Sequence, residues 1–537
     1  MSKFNSKKEK KTPTEVNEMG EKAYKLAAKE ELVSTCLTTF LQNSYYESEN
    51  EIVNRIKNSA NKVDEKFVAK LALYLRKDAN MRSVTHLLAG EIAPRLSGKE
   101  YAARFFNKVA QRPDDMSEIL AYYFSKGNKS ISNAIKKGFK SKLESLDPYL
   151  IDKYKMEKKD ISLIDLVNLF HPNPTQYNAE AYKRLMNGES LDGTYSSVNF
   201  EKAMTKAGIE AKSEKKDVKE TKAKAISEVL DSERGMNMMT LVRNLKNIIE
   251  TAPDKVDDAI EQLTNREKVL KSKLLPFRFA SAYEEVSKLK GLRSSNSRIQ
   301  FEKDKAPWDV VNKVLNALEK ALEYSVLNIP KLSGNTAVLI DHSGSVRGDG
   351  GGSSLVSAFS KTTKANIGNL FGSMLAHSQD NVYIGLFGDR LINVPMRRDM
   401  GILEFNKFSF NEGAKCGGST ENGLYYFLRD CIENKTRVDN LIIFSDMVIG
   451  DGGKGGWDAS SNARLGKFQE LFKKFKQVNP QCSTISVNIS QTSGKDVFDK
   501  SLNVTQVAGW SDKIFDIVAN SSKGYEAIIK EIESITI

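Results

Sequence analysis

Thr336-Ala337-Val338-Leu339-Ile340-Asp341-His342-Ser343-Gly344-Ser345 is a short apolar run that ends on a carboxylate and two hydroxyls. An apolar stretch of that length without alternation is what a strand buried on both faces looks like. Similar runs follow at Val382–Phe387, Leu391–Val394, Leu441–Phe444, Ser483–Ile489 and Val504–Ala508. Helical periodicity fills several of the gaps, over Lys364–His377, Glu421–Ile432, Leu465–Val478 and Asp512–Ala519. Strands alternating with helices predict a doubly wound, mostly parallel α/β domain over residues 331–537. In such sheets a ligand sits beyond the carboxyl ends of the strands.

Upstream of Pro330 the period changes. Apolar residues recur at three- and four-residue spacing, as in 67–76 (FVAKLALYLR), 117–124 (SEILAYYF) and 236–249 (MNMMTLVRNLKNII). Turn residues punctuate the pattern at Gly98, Pro113, Gly127, Pro148, His171–Pro174 and Asn187-Gly188. Many short amphipathic helices predict an all-α, HEAT-like helical-repeat array over 16–330, either a solenoid or a ring made from one. No clean repeat fixes its period. Residues 1–15 read as a disordered basic tail, and 209–224 (IEAKSEKKDVKETKAK) as a solvated helix or linker.

At 537 residues the chain exceeds one ordinary core, and 40% hydrophobic with 28% charged residues is a globular composition. No apolar run reaches the roughly 18 residues of a membrane span. The N-terminus has no secretory apolar region, so a cytoplasmic protein is expected. Four scattered cysteines and four scattered histidines argue against a disulfide framework, a zinc site or a histidine-based catalytic cluster. The net charge of +12 is uneven: residues 1–330 carry 58 Lys+Arg against 47 Asp+Glu, and 331–537 carry 23 against 22. Residues 51–150 alone hold 19 against 11. An excess confined to the helical part favours a polyanionic partner there, although a merely soluble basic surface gives the same count.

Three strand ends bring chemistry to one edge of the predicted sheet. Asp341, Ser343 and Ser345 follow the first strand, Thr420 lies in the loop Gly417–Thr420, and Asp446 follows Leu441–Phe444. Two carboxylates and three hydroxyls form an all-oxygen donor set, which suits a hard divalent cation. Helix capping and turn closure explain each residue singly but not the set. Together the five resemble the metal-ion-dependent adhesion site of von Willebrand A domains, with its D-x-S-x-S, Thr and Asp. The resemblance implies that Ser343, Ser345 and Thr420 bind metal through hydroxyls and that Asp341 and Asp446 bind directly or through water. Mg²⁺ is the expected ion, with Ca²⁺ or Mn²⁺ as substitutes. His342, Val346 and the glycine-rich loops 347–354 and 450–456 depart from the usual pattern. The second loop matches G-x-G-x-x-G only formally, because it follows a late strand without an acidic residue at the next strand end. No phosphate-binding G-x-x-x-x-G-K-[ST] occurs, so no nucleotide cofactor is expected.

A helical basic part joined to such a domain resembles the Ro family of small-RNA-binding ribonucleoproteins, built from a TROVE module and a von Willebrand A domain. Weaker matches to the family lie at Asn43–Ser48, Ser132–Lys142, Asp165–His171, Leu241–Asn247 and Leu275–Ala280, and at Trp510 with Phe515–Val518. The resemblance implies a ring of helical repeats closed by the A-domain. Its hole would take single-stranded ends of defective RNA and its basic outer surface a structured Y-like RNA, with an exoribonuclease as a partner in bacterial relatives. Within Ile131–Leu143, apolar Ile131, Ile135, Phe139 and Leu143 would face the core, leaving Lys136, Lys137 and Lys140 outward for phosphates. Arg243 and Lys246 are weaker candidates of the same kind. Tyr45, Tyr46, Tyr122 and Tyr123 could stack bases but read more readily as core. His171 reads as a helix-end residue.

Three functions compete. One is a non-enzymatic RNA-binding protein acting in RNA quality control or processing. Another is an interaction scaffold whose A-domain metal captures a partner carboxylate. A nuclease is the weakest reading, because phosphodiester cleavage calls for clustered carboxylates, whereas the strand-end set holds two among mostly hydroxyls and the basic part shows no such cluster.

Overall fold

The computed structural model describes residues 15–16, 22–23, 27–39, 49–79, 81–157, 159–189, 200–213, 217–231, 236–274, 276–289, 308–348, 354–355, 363–417, 422–447, 449, 468–489, 497–508, 515, 518 and 525–537. The helical part runs through α1 (Ala28–Thr38), α2 (Glu49–Asn61), α3 (Glu65–Lys77), α4 (Arg82–Ile92), α5 (Ala102–Val109), α6 (Pro113–Ser125), α7 (Asn133–Glu144), α8 (Pro148–Lys153) and α9 (Leu163–Phe170). It continues through α10 (Ala179–Met186), α11 (Phe200–Ser213), α12 (Val218–Leu230), α13 (Met238–Thr251), α14 (Val256–Thr264), α15 (Arg266–Ser272), α16 (Pro276–Ser287) and α17 (Trp308–Val326). Local chemistry sets many starts: Asp64, Ser132, Asp217 and Asn237 cap their helices, and Pro113 and Pro148 occupy first turns. Gly127 follows α6 with φ 82°, a backbone few side chains tolerate. The charge-dense stretch 209–224 spans the end of α11 and the start of α12, both largely exposed there.

One expectation is corrected at the start of the chain. Glu15 and Val16 form a strand, β1, paired antiparallel with β2 (Lys22–Ala23), so position 15 is structured where a disordered tail was expected. The remainder of that tail, and Asn43–Ser48 with Tyr45 and Tyr46, lie outside the described residues. Of the four apolar residues expected on the inner face around α7, Ile135, Phe139 and Leu143 are buried. Ile131 precedes the cap Ser132 and is half-buried, packed against the same core.

The second part is a six-stranded sheet: β3 (Thr336–Asp341), β4 (Val382–Phe387), β5 (Leu391–Val394), β6 (Asn440–Ser445), β7 (Ser483–Asn488) and β8 (Val504–Ala508). Their order is β5-β4-β3-β6-β7-β8, parallel except for the edge hairpin β4–β5. β3 lies between β4 and β6 and is buried at all six positions, which explains its unbroken apolar run. Its helices are α18 (Gly344–Arg347), α19 (Lys364–Ser378), α20 (Ile402–Glu412), α21 (Asn422–Glu433), α22 (Phe468–Val478) and α23 (Tyr525–Ser534). The sequence reading assigns no element to α20 or α23. Of the helix expected over Asp512–Ala519, only Phe515 and Val518 are described, and both are helical and buried.

The sheet domain touches both ends of the helical array. At one end α17 packs on α19 and α20, and the Glu319 carboxylate accepts the Leu403 amide at 2.8 Å. At the other, α23 packs on α1 and α3, while β8 meets α1. Lys29 pairs with Glu533 at 2.8 Å, Lys70 donates to the Glu533 carbonyl, and Lys108 and Arg104 donate to the Thr536 and Ile537 carbonyls at 3.0 and 3.3 Å. The helices are thus drawn into a closed circuit with the sheet domain as its link.

Candidate functional site

β3 and β6 are neighbours, so their carboxyl ends place Asp341 and Asp446 together at the sheet edge. Asp341 is fully buried. Its Oδ1 accepts the Ser343 amide at 2.9 Å and its Oδ2 the Ser445 hydroxyl at 2.6 Å. The Ser343 and Ser345 hydroxyls lie 3.3 Å apart. Burial first, and then the charge of Asp446, push the Asp341 carboxyl above the usual carboxylate range. Two buried carboxylates that repel each other beside two hydroxyls form a donor set a hard cation would relieve. Four of the five expected ligands therefore meet at one edge, and Thr420 lies outside the described residues. Among the described residues no group of three or more His, Cys, Asp or Glu side chains is arranged for a metal, so hydroxyls have to supply much of any coordination here.

Lys364, the first residue of α19, is a member of this edge that spacing alone did not reveal. Its side chain is 2% exposed and its ammonium lies 3.7 Å from Asp446 Oδ2. Thr363 caps the helix with Asn366 in a reciprocal box, which fixes where Lys364 begins. Ser445 is the second missed member; it was legible only as the neighbour of Asp446.

His342 faces away from this pair. Its Nδ1 accepts from Arg347 at 2.9 Å and its Nε2 faces Asn369 Oδ1 at 3.3 Å, with the Phe410 ring 5.5 Å away. Burial and then the Arg347 charge push its pKa down to about 3, so the ring is neutral and donates through Nε2. Gly413 presses on the imidazole, leaving no room for a Cβ. The departure at 342 is thus a packing feature below the edge. Within the glycine-rich loops, 349–353 and 450–456 lie outside the described residues.

On α7, Gly138 and Phe139 face inward while Lys136 and Lys137 are exposed and Lys140 is half-buried. Among the described residues no carboxylate pairs with any of the three, which leaves their charge available. Arg243 and Lys246 are exposed on α13, and Arg243 lines a cavity of about 370 Å³ together with Phe200, Met204, Met239, Thr240 and Asn247. Among the described residues nothing brings the α7 and α13 cations into one cluster. Tyr123 is core, its hydroxyl donating to the Ser130 carbonyl at 2.9 Å. Tyr122 is half-buried between Lys57 and Lys126, 5.6 and 5.9 Å from its ring. His171 is the left-handed C-cap of α9, as a helix-end residue should be.

The TROVE domain model matches residues 5–231 and 218–334. RNA-binding protein RO60 of Caenorhabditis elegans is 26% identical over 214 residues, which is 39% of this chain but only 30% of that protein's length. The crystal structure of the Deinococcus radiodurans RO (RSR) protein superposes with a TM-score of 0.59, covering 93% of this chain and 99% of that one. At 13% identity that likeness is one of fold: a helical ring joined to an α/β domain. With more than half its length matched by the family model, the chain belongs to the TROVE-domain family of Ro proteins.

Proposed function

We propose that this chain is a non-enzymatic, cytoplasmic RNA-binding protein. It holds a small structured, Y-like RNA on the basic outer face of its helical part. It takes single-stranded ends of defective RNA into the ring and acts in RNA quality control. The observation that carries the reading is the cation set Lys136, Lys137 and Lys140 on α7, which no carboxylate among the described residues neutralises. It lies within a TROVE-family helical part that holds nearly all the chain's excess positive charge. Such cations neutralise phosphates and release counterions, so affinity depends steeply on salt. They position the RNA backbone without reading bases. Arg243, Lys246 and the neighbouring cavity are the second candidate for RNA binding.

The strand-end residues of the A-domain supply a separate role. Asp341, Ser343, Ser345, Thr420 and Asp446 would hold a divalent ion, Mg²⁺ first, whose open position accepts a carboxylate from a protein partner such as an exoribonuclease. The two roles occupy different halves of the chain and are compatible.

Binding of a structured small RNA measured between roughly 50 and 300 mM salt tests the first role. Replacing Lys136, Lys137 and Lys140 by alanine is expected to weaken binding at low salt. It should also reduce the slope of log K against log salt by roughly 0.7–0.9 for each phosphate that is no longer neutralised. An unchanged slope removes α7 from the interface. Sequencing of co-purifying nucleic acid from the native host names the RNA; recovery of protein without RNA would favour the scaffold role alone.

A further inference from the structure

We propose that Lys364 is a tethered cation that neutralises Asp446, so that a divalent ion enters this edge only against a resident ammonium. The inference rests on the metal-site reading of the strand ends and deepens it. Three observations support it. First, Lys364 is almost completely buried, and a buried ammonium is kept in a protein where a carboxylate compensates it. Second, the compensating group is Asp446, 3.7 Å away and itself buried, and Asp446 is one of the two carboxylates a metal would need. Third, Lys364 cannot simply swing aside with a flexible loop. It is the first residue of a 15-residue helix, fixed by the Thr363–Asn366 capping box and by the packing of α19 against β3, β4 and β6.

The charge count follows. When both are ionised, as metal binding requires, Asp341 and Asp446 contribute two negative charges, and Lys364 returns one. Asp341 already has its two oxygens occupied by the Ser343 amide and the Ser445 hydroxyl. Among the described residues an incoming divalent ion therefore meets one carboxylate with no ammonium beside it instead of two, and faces a like charge held beside the other. The site is set for weak divalent binding, and occupancy becomes something a partner's carboxylate has to help drive.

Mn²⁺ titration of the full chain, followed by the electron paramagnetic resonance of free Mn²⁺, tests this. Wild type is expected to bind in the millimolar range. Lys364→Met, close in size without the charge, should bind at least tenfold more tightly, Lys364→Arg should stay near wild type, and Asp341→Ala should lose saturable binding. Without metal, Lys364→Met should melt at a lower temperature than wild type, and Mn²⁺ should restore more of its stability than it adds to wild type. Micromolar binding by wild type overturns the proposal, as does equal affinity in wild type and Lys364→Met, or tightening in Lys364→Arg as large as in Lys364→Met. In those cases the metal site itself stands. Absence of saturable Mn²⁺ binding in every folded variant, Lys364→Met included, instead overturns the metal-site reading and this proposal with it. If Lys364→Met fails to fold, Lys364→Gln carries the same comparison, and the wild-type affinity decides on its own.

Discussion

Asp115, third residue of α6, is a fully buried carboxylate at the centre of a polar cluster. Its Oδ2 accepts from Arg76 at 2.8 Å and from the Gln111 and Arg112 amides, while Oδ1 accepts from His86 at 2.8 Å and from Arg82. Burial by itself would raise its pKa; the hydrogen bonds from His86 and Arg76, with their charges, overcome this and hold it far below the ordinary range. A carboxyl depressed in the folded state contributes stability that is complete above its unfolded pKa near 4 and is lost as pH falls toward the folded value. Asp115→Asn is therefore expected to cost about 3–5 kcal/mol at neutral pH in chemical denaturation. Its stability should also fall less steeply than wild type between about pH 4 and 2. A parallel decline in the two proteins would show that the carboxylate is not the group being titrated. Sequence alone offered no access to this cluster, because Arg76, His86 and Asp115 come from three helices and none belongs to a spaced motif. Asp341, Ser343 and Asp446 were legible because strand ends of a parallel sheet collect at one edge by topology. Lys364 was not, since a lysine opening a helix is ordinary until its burial is known.

At the scale of elements, α7 packs on α5 through Gly138. A Cβ there would stand 2.6 Å from the Ala103 carbonyl oxygen and from the Phe106 Cβ. Gly138→Ala has to push the two helices apart and is expected to destabilise the protein by about 1–3 kcal/mol. Because the same helix carries Lys136, Lys137 and Lys140, RNA affinity should drop in parallel while the salt slope stays steep. That separates a displaced helix from a missing charge, and a salt slope flattened as in the triple-alanine variant would contradict it. The strands were legible almost to the residue because β3, β4 and β6 are nearly continuous apolar runs and the β-branched residues of β7 and β8 are interspersed with polar ones. α20 was not: Phe405-Asn-Lys-Phe408-Ser-Phe410 mixes a three-residue and a two-residue spacing, and Phe410 turns toward Arg347 and His342. The glycine-limited approach of Gly413 to His342 was equally invisible, since it joins α20's end to the loop after β3.

At the scale of the whole molecule, the circuit of helices closes where α23 meets α1 and α3, through Lys29–Glu533 and the carbonyls of Glu533, Thr536 and Ile537. Ile528, Ile532 and Ile537 are buried at this junction, so the closure is apolar at heart and polar at its rim. Removing residues 525–537 is expected to split the thermal unfolding of the protein into two transitions and to enlarge its radius in small-angle scattering. A single transition at the wild-type temperature would mean that the two ends are held together elsewhere. Helical periodicity predicted an array and the family resemblance implied its closure into a ring, but the helix that performs the closure could not be read, because the junction joins residues hundreds of positions apart. Domains emerging from the ribosome fold in order of synthesis. α1 and α3 are made long before α23, so the apolar faces that receive Ile528 and Ile532 stay uncovered until that helix appears. Until then the helical part is an open arc, and the step that shuts it is the docking of one helix rather than the folding of the array.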